Sequence, residues 1–393
     1  MQLKDYIYFI SFSTMVVVSC KKNYAPHAIS SSNSNLVVEG TISAGGDSTV
    51  IKLSRTIAVS GLNKVKHETG AKVTVNDDQG NNYPLVETDS GRYTAAPFSL
   101  DTARKYRLNI ITTDGKTYAS DYTPVEVTPP IDTLNYDITA AGVNFYASTH
   151  DPTGRAKYYR WDYTETYIYE SNVEAPYVFD NSYLHVSDKF RARTPAQQIH
   201  VCYISRDAST ILLRSTSNLS RDVILNNPIT QIASTSEKLN HRYSILLKQY
   251  ALTSEAYDFW TQMKKNTEQI GTIFDPQPSD IQGNIHCTSN PSEPVIGYVS
   301  ASTVSQKRIF IDNSIIPWYN AQSDSCTHTV LTWDDGNIPS DIKTGVWIPY
   351  GQLSAVYRPA YRDSAYAVAV YEYDCVDCRY HNHGSNVKPA FWK

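Results

Sequence analysis

Leu36-Val37-Val38-Glu39-Gly40-Thr41-Ile42 and Ser48-Thr49-Val50-Ile51-Lys52-Leu53, separated by Gly45-Gly46-Asp47, set the fold class. Both runs are short and rich in β-branched residues, and the glycines between them supply turn conformations, so the pair reads as two joined strands. The same texture continues downstream. Ala71–Val75 alternates, Asp77–Gly80 turns, and Tyr83–Glu87, Gly91–Thr94, Tyr106–Thr112 and Thr117–Ser120 follow, the last two around an Asp114-Gly115 hairpin signal. Short strands with frequent turns predict an immunoglobulin-like β-sandwich over residues 36–130, ended by Pro124, Pro129 and Pro130.

From Ile131 the chain stays strand-rich, with candidates at Tyr158–Tyr169, His200–Ser205, Ile211–Ser215, Arg242–Gln249, Val295–Ser300 and Arg308–Ile311. One segment differs. Ser254 suits a helix N-cap, Ala256, Tyr257, Trp260 and Met263 follow at helical spacing, and Gly271 ends the run, which predicts a helix near 255–269 packed on a second sheet. Its aromatic stripe reads as core. The expected architecture is mainly β: the sandwich, then a larger β-rich domain over 131–393 with at least one packed helix. Long connections at 170–196 and 312–345 are where a binding surface would lie.

Upstream, Lys4 precedes an apolar segment from Tyr6 to Val18, and Val17-Val18-Ser19-Cys20 closes it. A charged start, an apolar stretch too short to span a bilayer and small residues before a cut describe a secretory signal over 1–19. A Cys at the first position after the cut is the acceptor for diacylation, so Cys20 is the expected lipidation site of a bacterial lipoprotein, held to the membrane by acyl chains such as palmitate. At about 0.8 kcal/mol per buried methylene, two or three chains anchor a protein stably. Residues 20–35 hold the lipidated Cys and a Ser/Asn-rich flexible tether.

Composition narrows the function classes. Hydrophobic content of 41% with 19% charge is globular, and a net charge of −4 without a long basic run gives no reason to expect nucleic acid. The 30 Tyr against 10 Phe suit half-buried strands first and a recognition surface second.

Beyond Cys20 the cysteines are Cys202, Cys287, Cys326, Cys375 and Cys378. Export favours disulfides, an odd count leaves one thiol over, and a bridge from Cys326 to Cys375 or Cys378 is the favoured pairing. The rival is zinc on Cys375, Cys378, His381 and His383. The histidines are closer together than usual zinc ligands and only one CxxC is present, so no metal or other cofactor is expected. There is no GxSxG, HExxH, P-loop or GxGxxG pattern, and Asp334-Asp335 before Gly336 reads as a turn, so no enzymatic activity is expected. Dispersed glycosidase carboxylates would leave no local motif. Phe391-Trp392 reads as a tail docked into the core rather than an exposed partner-binding end.

Several blocks together resemble a known family. They are Leu36–Gly40, Tyr106–Ile110, Asp114–Tyr118, Pro129–Asp132, Tyr243–Tyr250, Gly271–Ser279, Gly283–Ile285, Gly297–Ser302, Arg308–Ile311, Cys375–Cys378 and Lys388–Trp392, behind the lipobox at Cys20. As a series they resemble the exported lipoproteins called domain of unknown function 4249. The resemblance implies an outer-membrane lipoprotein, found beside TonB-dependent transporters, with no catalytic residues to carry over. Where this chain has His383-Gly384 the family often has paired Gly, which further disfavours zinc. Lys21, Lys22 and Asn23 replace the acidic residues that commonly direct surface export, so the periplasmic or surface face stays open. The leading expectation is an accessory or ligand-binding component of a TonB-dependent transport system, with the membrane and such a barrel as partners. The alternatives are a structural or adhesive envelope protein and a surface-polymer hydrolase.

Overall fold

The computed structural model describes residues 34–57, 65–175, 177–179, 190–268, 281–318, 326, 328–334, 352–354, 365–371 and 373–392. The molecule is mainly β. Alternation in Leu36–Ser43 buries Leu36, Val38 and Ile42, and in Thr49–Arg55 it buries Ile51 and Leu53; the strands pair antiparallel, with Leu36 opposite Arg55 and Thr41 opposite Val50. Arg92–Ala95 adds to the free side of Thr49–Arg55. A second layer places Lys72–Asp77 between Asn82–Asp89 and Lys105–Ile111, followed by Thr117–Ser120. Asn82–Asp89 serves both layers, pairing first with Lys72–Asp77 and then with Arg92–Ala95. Val38, Ile51, Leu53 and Tyr93 meet Val73, Val75, Leu108, Ile110 and Tyr118 in one core, where each large side chain contributes roughly 1.5–3 kcal/mol. This first unit is an immunoglobulin-like β-sandwich.

Its sheets are completed by a distant part of the chain. Ile285–Cys287 pairs with Thr117–Ser120, while Val295–Gly297 and Ser300–Ser302 run parallel to Leu36–Ser43. The single strand expected at Val295–Ser300 is therefore two short ones, and they belong to the first sheet rather than the second unit. Asn284 supports the join with a paired side chain: its Nδ2 donates to the Val299 carbonyl and its Oδ1 accepts from the Val299 N–H, both at 2.9 Å.

The second unit stacks two layers. Tyr158–Glu170 lies between Tyr243–Leu252 on one side and Val201–Asp207 and Leu212–Ser215 on the other, with Val304–Ile311 beyond Tyr243–Leu252. Against this five-stranded sheet packs an antiparallel sheet of Ile131–Thr139, Gly142–His150 and Val223–Ala233. The core includes Tyr159, Trp161, Tyr167 and Tyr243, and the Phe145 and Tyr243 ring centroids lie 5.6 Å apart across the layers. Trp161 Nε1 donates to Gln249 Oε1 (2.8 Å), and Gln249 Nε2 donates to the Pro129 carbonyl (2.8 Å) and Thr149 Oγ1 (3.0 Å). A buried amide thus ties the connection between units to the second core.

The helix spans Ser254–Glu268 and buries Ala256 and Phe259. Ser254 is not its cap: Thr253 Oγ1 accepts from the Ala256 N–H at 3.2 Å, and the Thr253 carbonyl takes the Tyr257 N–H. No described helix is long and apolar enough to cross a membrane.

Candidate functional site

Cys20 and the expected signal segment over 1–19 lie outside the described residues. Cys326 is bonded to Cys375 and Cys378 to Cys202, while Cys287 is a buried free thiol. The two cysteines of the CxxC therefore staple two different parts of the chain, a pairing to Cys202 that spacing gave no reason to choose. Disulfide formation removes both thiolates from the zinc arrangement considered for Cys375, Cys378, His381 and His383. Instead, His381 stacks on Tyr169 with centroids 3.8 Å apart and bonds Glu237 Oε1 through Nε2 at 2.9 Å. Among the described residues no group of three or more His, Cys, Asp and Glu is placed to hold a metal ion.

Behind Cys378 the tail runs back over the five-stranded sheet. Tyr203 and Ser385 exchange backbone hydrogen bonds, and Trp392, 5% exposed, sits edge-on to Tyr203 (5.3 Å) and Phe310 (5.5 Å). The tail docks because the outer side of this sheet is small and polar at Thr166 and Ser244, both fully buried beneath it or its neighbours.

Period-2 alternation then fixes which side chains share the rest of that outer face. Tyr159, Trp161 and Tyr167 point to the core, so Tyr158, Arg160, Asp162, Thr164 and Thr166 point out; opposite them stand Leu252, Tyr250, Lys248, Leu246 and Ser244, and beyond these Gln306, Arg308 and Phe310. The helix covers one end, with Tyr257 against Tyr158 and Trp260 over the Arg160 guanidinium. The tail covers the other. Between them is a strip of Asp162, Thr164, Leu246, Lys248, Gln306 and Arg308, which the first unit reaches: Lys248 Nζ lies 2.5 Å from Asp47 Oδ2, and Lys52 Nζ lies 4.0 Å from Asp207 Oδ2. The strip is polar, lies at the junction of the two units and has aromatic rings at both ends; such junctions are among the places where small ligands bind. Sequence periodicity marks these positions as outward-facing; that they face another unit required the tertiary structure.

One cluster resembles hydrolytic machinery. Ser171 Oγ is 2.9 Å from His200 Nδ1, and His200 Nε2 is 3.8 Å from Glu170 Oε2. Ser171 is 2% exposed, however, and its hydroxyl donates toward the Val173 and Val376 carbonyls, 3.1 and 3.2 Å away. A buried hydroxyl committed to backbone carbonyls brackets the CxxC helix; it is not presented as a nucleophile.

A family model described as "Domain of unknown function (DUF4249)" matches residues 21–308. No curated protein matches the chain. Among solved structures, a two fibronectin type-III domain segment from chicken tenascin is similar, at 11% identity over 55% of this chain and 90% of that chain, with a TM-score of 0.16; at that score the similarity carries no structural argument.

Proposed function

The chain belongs to the domain of unknown function 4249 family, and from that premise we propose that it is an outer-membrane lipoprotein, anchored through Cys20, that serves as the ligand-binding accessory of a TonB-dependent transport system. The observation that carries this reading is the placement of the tether root. Arg55 Nη1 bonds the Ser34 carbonyl at one end of Leu36–Ser43, whereas the second unit engages Asp47, just past the other end. A strand of this length sets the two points about 25 Å apart. The first unit is thus a spacer, the second is held away from the lipid, and residues 21–33 add a reach of at most about 45 Å.

The outer-face strip supplies the binding surface, and a neighbouring barrel supplies the route across the membrane. Deleting the protein is expected to lower uptake of one nutrient, and Cys20→Ala is expected to abolish incorporation of labelled palmitate into the protein. Unchanged uptake of every nutrient tested would contradict the transport role.

A further inference from the structure

Among the described residues of the strip, charge pairing leaves Arg308 apart. Asp162 receives Arg160 at 2.7 Å, Lys248 has Asp47, Asp207 has Lys52, and Arg242 has Asp312 at 3.1 Å. Elsewhere Arg55 has Glu68 at 2.6 Å, Arg104 has Asp77 at 2.9 Å and Arg379 has Asp377 at 2.6 Å. Arg308 is half-buried and has no carboxylate among the described residues. Its Nη1 donates to Ser244 Oγ at 2.9 Å, and its Cζ lies 3.6 Å from the centroid of the Phe391 ring. Burial alone acts on the guanidinium and weakens its hold on its proton.

The unused donors are Nε and Nη2. These two N–H groups lie on the same edge of a guanidinium and point in parallel, a fork that matches the two oxygens of one carboxylate. Phe391 covers a face of the guanidinium, so approach in its plane is the open direction. A half-buried cation without a counter-ion is held at a cost, which an arriving anion offsets.

The geometry points to Arg308 as the receptor for the carboxylate of a small ligand bound on the strip between the helix and the C-terminal tail. A planar monoanion is the better match than a phosphate, because the other cations at the strip, Arg160, Lys248 and Lys52, already face Asp162, Asp47 and Asp207. The assignment deepens the reading of this face as ligand-binding and is independent of the anchor and of any barrel.

The test uses thermal melts of the full-length protein in detergent, in buffers of equal ionic strength containing sodium acetate, inorganic phosphate or chloride. A ligand that binds only the folded state raises the melting temperature. The expected result is a higher melting temperature in acetate than in chloride, with that difference lost in Arg308→Gln, and a phosphate effect, which acts on any folded protein, that is the same in wild type and variant. Arg308→Lys keeps the charge without the fork and also loses the acetate difference, which keeps the test decisive should Arg308→Gln fail to fold. Equal melting temperatures in acetate and chloride, a difference that persists in the variants, or a phosphate effect that depends on Arg308 as strongly as that of acetate would overturn the assignment. An Arg308-dependent acetate effect in a protein whose loss leaves all uptake unchanged would keep this site and refute the transport role.

Discussion

Gly283 and Gly297 show how single residues let the chain return to its first sheet. A Cβ built on Gly283 would lie 1.6 Å from the Gly297 carbonyl oxygen, and one on Gly297 would lie 2.1 Å from the Val38 carbonyl oxygen. Three backbones therefore meet with no room for a side chain, and Gly297 also holds φ at +139°, which other residues rarely adopt. Gly297→Ala must move the returning strand off Leu36–Ser43 or strain both. We expect it to lower unfolding free energy by at least about 2 kcal/mol, read by urea denaturation, because strain and steric overlap act together. A loss below about 0.5 kcal/mol, the range of neutral surface changes, would contradict this packing. Both glycines stand in blocks that carried the family resemblance. Their physical reason, a close backbone approach, is invisible until the two distant strands are seen together.

At the scale of elements, the returning segment is latched by charge as well as by strand pairing. Glu293 accepts from Lys116 Nζ and from the Tyr118 hydroxyl, each at 2.7 Å, and lies 3.8 Å from Arg55, which also holds Glu68. Burial works against the Glu293 carboxylate, yet the bonds from Lys116 and Tyr118 and the nearby cations outweigh it and hold its pKa below the usual range. A folded pKa below the unfolded value of about 4.3 means that this latch stabilises fully above that pH and is lost as pH falls through the lowered folded value. Melting temperature is therefore expected to fall on acidification below about pH 4, and Glu293→Gln flattens that acid limb while lowering stability at neutral pH. An acid limb identical in the variant would remove Glu293 from the account. The elements themselves were unevenly legible. Leu36–Ser43, Thr49–Arg55 and Tyr158–Glu170 announce themselves because β-branched or aromatic residues dominate them. Ile131–Thr139, Gly142–His150 and Val223–Ala233 were not anticipated as strands: the first is mostly exposed and polar, and the last contains Pro228 and Asn226 at φ 47°, both of which usually argue against a strand. Tertiary pairing overrode those local signals. Cys202–Cys378 was equally hidden, because spacing carries no information on which strand a tail returns to.

At the scale of the whole molecule, the first β unit carries a second whose outer face is closed at one end by the helix and at the other by the disulfide-rooted tail. The connection between units is buttressed rather than loose. Thr128 Oγ1 accepts from the Ala251 N–H at 2.9 Å, Thr128 N–H donates to Thr303 Oγ1 at 2.8 Å, and Gln249 holds the Pro129 carbonyl. The mainly β fold class could be read from turn spacing, but the return of Ile285–Ser302 to the first sheet could not, nor could the candidate strip, since its residues come from Tyr158–Glu170, Tyr243–Leu252, Val304–Ile311 and the first unit together. The proposed role requires that this assembly sit beside a transporter in its own membrane. The deciding measurement is a mild-detergent pull-down of the full-length protein with Cys20 intact from its native membrane, with mass spectrometry of the bound fraction. The account predicts a TonB-dependent barrel recovered in stoichiometric amount; recovery of this protein alone would contradict it.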